Sequence, residues 1–212
     1  MWSGALVEAM MRVDPSTRLT VEHLRPHLGR GFPWHQPMML RAAESAAQWW
    51  AAMHPVFEAA YVANGVDRGS ASAAASLVPT EFYRPDAWAL IDGAHEALLL
   101  TANAGFRNIV LSNHAPELAT LVDRLGIGLL VEETITSASV GAEKPNSAIF
   151  AFALNKAGLA NADEAWMVGD NPVADIEGAS AVGIRAILVG DSPDVGARLT
   201  VSQAAALIVG AS

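Results

Sequence analysis

Hydrophobic and polar positions change rhythm part-way along the chain. Up to about residue 85 the apolar residues recur only at helical spacing. Leu6, Val7, Met10 and Met11 mark one face of a first helix. A stretch broken by Gly29, Gly31, Pro33 and Pro37 predicts a loop. Residues 39–53 then read as a helix rich in alanine and carrying Trp49 and Trp50. Pro55 is expected to restart a helix at its first turn and Gly65 to stop it. Residues 70–77 complete the helical half. From about residue 86 short apolar runs alternate with helices. Strands are expected at 108–112, 129–135, 165–168 and 185–189. Helices are expected at 88–104, 116–125, 145–157 and 172–182, closed by Gly105, Gly126, Gly158 and Gly183. Continuous apolar strands separated by helices of this length predict an α/β fold, a Rossmann-like parallel sheet with helices on both faces. The expected domains are an all-helical segment, 1–85, and an α/β core, 86–212.

Composition narrows the function. Of the 212 residues, 52% are hydrophobic, which excludes a disordered chain. Thirteen basic against 22 acidic residues give a net charge of −9, so the electrostatic footprint of a nucleic-acid binder is absent. With no cysteine there is no disulfide framework, thiolate zinc site or cysteine nucleophile. Apolar runs all fall short of the roughly 18 residues of a membrane span. Glu8 interrupts the first apolar stretch, which argues against a signal peptide. A cytoplasmic protein is expected, with neither a membrane nor a nucleic acid as partner.

Polar residues gather where the predicted strands end. Ser112 and Asn113 close one strand ahead of Pro116. Gly169, Asp170 and Asn171 close another ahead of Pro172, and Lys144 immediately precedes Pro145. In an open parallel sheet the carboxyl ends of the strands face the ligand. Helix starts there offer unpaired N–H groups and partial positive charge to anions. A hydroxyl, a lysine and an aspartate on one rim suit a phosphate and a divalent cation. Lys144 would act as a compact positive charge, and Asp170 as a hard oxygen ligand for Mg²⁺. Taken singly, each is commonplace: Ser112 as a turn cap, Lys144 as surface, Asp175 as a partner of a helix dipole.

Three segments together resemble one known family. Residues 109–113 (IVLSN), 141–150 (GAEKPNSAIF) and 166–179 (WMVGDNPVADIEGA) are similar to the second, third and fourth motifs of the haloacid dehalogenase-like hydrolase superfamily. The resemblance spans about residues 86–190. It implies that Ser112 hydrogen-bonds a phosphoryl group, with Asn113 beside it in substrate binding, and that Lys144 stabilises its charge. It further implies that Asp170 binds Mg²⁺ and that Asp175 supports the lysine and the water shell of the metal. The helical first half then corresponds to the helical cap of the family. The expected reaction is Mg²⁺-dependent hydrolysis of a small phosphorylated metabolite, since the dehalogenase branch tends to carry Ser-Asn where this chain has Gly169-Asp170.

One motif of that family has no counterpart. Its first strand ends in Asp-x-Asp-x-Thr, the source of the nucleophile and of the general acid. The nearest segment, Asp14-Pro15-Ser16-Thr17, lacks the second aspartate and follows a helical pattern. The first core strand is therefore expected to be absent and the chain inactive, through a start set too late or a truncated gene. A natural pseudoenzyme that serves as a binding protein, or a dehalogenase-type hydrolase, are the alternatives. In the family that strand lies between those at 109–112 and 165–168. Its loss would leave a slot of about 10 Å, or the two strands closed against each other. Other features carry less. His23 and His27 have helical metal spacing but no acidic neighbours, and Trp34-His35 and Trp49-Trp50 suit either a substrate entrance or a core. Gly126-Ile127-Gly128 lacks the third glycine of a dinucleotide loop, and Gly190-Asp191-Ser192 has no downstream histidine for a triad.

Overall fold

The structure, a computed structural model, describes residues 2–190 and 198–211. Asp191 and Ser192 of the Gly-Asp-Ser segment lie outside the described residues. The chain divides into two units, Met1–Gln36 with Glu44–Ala89, and Pro37–Ala43 with Leu90–Ser212.

The first unit is helical: α1 (Trp2–Val13), α2 (Val21–Leu24), α3 (Ala46–Ala63) and α4 (Arg68–Phe82). Its helices begin where side chains cap them. Ser45 and Gln48 form a capping box at α3, and the Asp67 carboxylate accepts the Ser70 N–H at α4. The α3 cap corrects the expected helix over 39–53, because the box fixes the start at Ala46 and leaves residues 39–45 irregular. Pro55 does not restart a helix either. It sits inside α3, as Pro79 does inside α4, at the cost of one backbone hydrogen bond each. Ala71, Ala74, Ala75 and Val78 make one buried stripe on α4. The core is aromatic: Trp2 stacks on Phe82 with ring centroids 4.0 Å apart, and Trp49, Trp50 and Phe57 surround them. Trp49 and Trp50 are thus core residues of this unit. The buried Tyr61 hydroxyl donates to the Leu6 carbonyl at 2.6 Å, and burial pushes its pKa up. Buried Glu81 is met by Arg12 and Arg84 at 2.9 and 3.3 Å.

The second unit carries four parallel strands: β1 (Ile109–Ser112), β2 (Glu133–Thr136), β3 (Trp166–Gly169) and β4 (Arg185–Leu188). β1 pairs with β2, Ile109 facing Glu133 and Ser112 facing Thr136. β3 pairs with β4, Trp166 facing Arg185 and Gly169 facing Leu188. The result is two two-stranded sheets, with no pairing between them among the described residues. Helices α5 (Ala94–Asn103), α6 (Leu118–Arg124), α7 (Ser137–Val140), α8 (Ser147–Lys156), α9 (Gly178–Ser180) and α10 (Val201–Gly210) pack around them. Ile149 and Phe150 of α8 centre a core with Ala142, Ala179 and Ile184, against which Leu111 and Met167 pack. α5 is shorter than the expected 88–104, since Trp88 instead donates its Nε1–H to the Phe82 carbonyl in the helical unit. Residues 37–43 are held to the α/β unit by the Arg41 N–H, which donates to the Gly141 carbonyl at 2.8 Å. Gly141 has φ +78°, and a Cβ there would collide with the Arg41 carbonyl, so only glycine fits.

Candidate active site

Ser112 ends β1 and Asp170 follows the last residue of β3. With Lys144 and Asp175 they line one end of a single cavity of about 730 Å³ in the α/β unit. The structure therefore brings together four of the five residues singled out from sequence, and the fifth, Asn113, is tied to one of them.

Lys144 is the hub. Its Nζ donates to Asp175 Oδ1 at 2.5 Å and to the Leu111 carbonyl at 2.8 Å, while only 9% of its surface is exposed. The Asn113 carboxamide grips its main chain from both sides. Oδ1 accepts the Lys144 N–H at 2.7 Å and Nδ2 donates to the Lys144 carbonyl at 2.9 Å. The side chain of Asn113 is thus committed to placing the lysine, a role that sequence reasoning, which assigned it to substrate, missed. Nothing local signals it, because the two residues lie 31 positions apart.

Asp175 is the other half of the pair and is 4% exposed. Its Oδ2 accepts the Asn171 N–H at 2.9 Å. This carboxylate lies where a Cβ on residue 169 would sit, which is why β3 ends in glycine. A buried ion pair of this kind contributes little net stability, yet it fixes the charge in place.

Two of the three helix starts at this rim differ from expectation, while the third begins at Pro172 as expected. α8 begins at Ser147, with the Asn146 side chain accepting the Ala148 N–H, and α6 begins at Leu118. After Asn171 the chain forms a π-helical turn, Pro172–Glu177, and the Asn171 side chain accepts the N–H groups of Val173 and Ala174. At α8 and after Asn171 these donors are met by side chains of the protein itself, whereas α6 starts without a side-chain cap.

Asp170 is exposed, and its main-chain carbonyl accepts a hydrogen bond from Arg198 Nη1 at 2.9 Å. Arg198 is a second contributor that sequence reasoning missed, 28 positions downstream with no motif of its own. Among the described residues the donor set for Mg²⁺ is the one exposed carboxylate of Asp170, Asp175 being engaged by Lys144 and Asn171. No group of three or more His, Cys, Asp or Glu residues able to hold a metal occurs among the described residues. That set still fits Mg²⁺, which uses one or two carboxylates and completes its shell with water and phosphate oxygens. Beside the rim, burial pushes the pKa of His114 down, and the main-chain N–H of His114 donates to Ser137 Oγ at 3.1 Å.

The lesser candidates lie in the helical unit. Asp14 follows α1, and its carboxylate accepts the N–H and Oγ–H of Ser16 at 2.9 and 2.7 Å, closing a turn. His23 Nδ1 accepts the Thr20 N–H at 3.2 Å and caps α2.

Residues 15–183 match the haloacid dehalogenase-like hydrolase family. The chain belongs to that family. It is 30% identical over 145 residues to the human haloacid dehalogenase-like hydrolase domain-containing protein 3, covering 68% of this chain and 57% of that protein. The chain thus spans little more than half the length of such relatives. A shorter stretch of 84 residues is 40% identical to the ribulose-1,5-bisphosphate 5-phosphatase of Halopiger xanaduensis, covering 40% of this chain and 35% of that enzyme. A crystal structure of 2-haloacid dehalogenase from Pseudomonas syringae superposes with a TM-score of 0.65 at 24% identity, covering 99% of this chain and 92% of that one, which shows the shared fold. No helix among the described residues is long and apolar enough to cross a membrane.

Proposed function

We propose that this hydrolase carries the phosphate- and Mg²⁺-binding half of a phosphatase for small phosphorylated metabolites, and that these 212 residues alone do not turn over. The observation that carries the reading is the fixed Lys144–Asp175 pair beside the exposed carboxylate of Asp170. Lys144 and the Ser112 hydroxyl would hold the phosphoryl oxygens, and Asn113 keeps the lysine aimed. Asp170 would hold Mg²⁺, whose charge offsets that building on the phosphoryl group in the transition state. Asp175, bound to both Lys144 and the Asn171 main chain, keeps β3 and its following loop in register with the lysine. The likeness to a phosphatase supports phosphoryl transfer. So does the carboxylate at Asp170, which metal-free dehalogenation does not need.

No Asp-x-Asp-x-Thr occurs in the sequence, and among the described rim carboxylates Asp170 is assigned to Mg²⁺. Asp175 is consumed by Lys144. The test compares this chain with a fusion in which an apolar strand ending in Asp-x-Asp-x-Thr precedes Met1, using p-nitrophenyl phosphate as substrate. The fusion should hydrolyse it only with Mg²⁺, Asp170→Asn should largely abolish this, and the chain alone should be silent. Fusion activity that survives both chelation and Asp170→Asn would overturn the metal-dependent reading. Turnover by the chain alone, lost on Lys144→Ala, would place the nucleophile within these residues, and Asp14 would be the first to test.

A further inference from the structure

An exposed carboxylate serves a cation only where its main chain holds it in one direction, and the main chain of Asp170 is gripped on both sides. Ahead of it, the Gly169 carbonyl accepts the Val189 N–H at 2.9 Å, which fixes the peptide joining residues 169 and 170. Behind it, the peptide joining Asp170 to Asn171 is held at both polar ends. Its carbonyl accepts from Arg198 Nη1 at 2.9 Å, and its N–H donates to Asp175 Oδ2 at 2.9 Å. A peptide is a rigid plane. With the planes on either side of one Cα both fixed, the direction of its Cα–Cβ bond is fixed as well.

The signs match as well as the geometry. The guanidinium meets the carbonyl, the negative end of the peptide dipole, and the carboxylate meets the N–H, the positive end. Asp175 Oδ1 in turn accepts from Lys144 Nζ, so Arg198 is joined to the lysine through one peptide and one carboxylate. The place of Arg198 is itself set by its chain neighbours. Leu199 pairs in parallel with Val189, its carbonyl accepts the Gly190 N–H at 3.1 Å, and Thr200 caps α10. Gly190 also lies against Asp170, where a Cβ on it would come 3.6 Å from the Asp170 Cβ.

We propose that Arg198 is a positioning residue, which locks the Asp170–Asn171 peptide and so aims the Asp170 carboxylate at the cation in register with Lys144. The proposal rests on the reading of Asp170 as the Mg²⁺ ligand. Asp175 serves the lysine as well as the N–H end of this peptide, and Arg198 supplies the grip on the carbonyl end. Without it the plane hangs from its N–H alone and turns about that bond. Asp170 then samples several directions, and a cation that binds must first select one.

The test uses the whole chain, with Mn²⁺ as a paramagnetic stand-in for Mg²⁺ on oxygen ligands. In the parent, Mn²⁺ should broaden the amide resonances of Gly169, Asp170 and Asn171, and Asp170→Asn should abolish the effect. Arg198→Met, which keeps the length of the side chain but no donor, should raise the midpoint of broadening about tenfold. Arg198→Lys should restore most of the loss, since the contact uses a single N–H, and Arg198→Gln, shorter and uncharged, should fall between the two. With no metal added, amide exchange at Asn171 should quicken about tenfold in Arg198→Met while exchange in the Phe150 core stays as it was. An unchanged midpoint, or unchanged exchange at Asn171, would overturn the proposal. So would an acceleration shared equally by the core, the mark of a residue that merely stabilises the unit. A parent chain that shows no broadening at residues 169–171 would sink the Mg²⁺ reading instead, and exchange at Asn171 would still decide whether Arg198 holds the peptide.

Discussion

The helical unit and the α/β unit use burial in opposite ways. In the first, the most deeply buried large side chains include Trp49, Phe57, Leu6, Met10, Leu24 and Val78, and among the polar ones Tyr61 and Glu81 find partners. In the second, Lys144, Asp175, Glu143, Asn146, Thr136 and Ser137 are buried while the apolar strands β1 and β3 stay partly open. One unit is held by shape and apolar area. The other places charge in low dielectric, where position matters more than net stability.

The contrast can be broken from either side. Phe57→Ala and Asp175→Ala are each expected to cost about 3–5 kcal/mol in urea unfolding, the first by leaving a cavity and the second by stranding the Lys144 charge. A second change separates the causes. Lys144→Met should recover much of the loss in Asp175→Ala and none of that in Phe57→Ala. Equal behaviour in the two backgrounds would erase the distinction between the units. Tyr61→Phe tests the polar exception in the helical unit, since it removes the second hydrogen bond to the Leu6 carbonyl, which lies inside α1 and keeps its place in the helix ladder. A loss of about 0.5–1.5 kcal/mol is expected by the same measurement, and no loss would show that this hydrogen bond adds nothing to the unit's stability.

The smallest effect concerns acid. His114 is held neutral by burial, so its folded pKa lies below the unfolded value near 6.5. As pH falls through that value the unfolded chain takes up a proton that the native state refuses, and stability drops. Above it the group contributes nothing to the slope. One proton limits the slope to about 1.4 kcal/mol per pH unit. Unfolding followed between pH 7.5 and 5.5 should show this fall, and His114→Asn should flatten it. An unchanged slope would assign the acid sensitivity to other groups.

Local chemistry made the strands and their polar ends legible. Ile-Val-Leu and Trp-Met-Val are runs no surface helix would carry, and Ser112 and Asp170 stop them in the expected places. Helix ends were less legible. The alanine-rich pattern before Trp49 extends equally well in either direction, and only the reciprocal hydrogen bonds of Ser45 and Gln48 choose the start. Pro55 favours a helix start as a residue, but packing of Trp49, Met53 and Phe57 on one side carries α3 through it. The grip of Asn113 on Lys144 and of Arg198 on Asp170 depends on chain segments meeting in space, which spacing does not encode.

The buried lysine also shapes how the protein meets reagents. The chain has two lysines, Lys144 and Lys156. Lys156 stands exposed at the end of α8, whereas Lys144 is enclosed with its carboxylate. An amine-directed dye or cross-linker therefore finds a single lysine handle on the folded molecule. The second becomes reactive only when the rim comes apart, so acylation of Lys144 is a chemical clock for opening of the site.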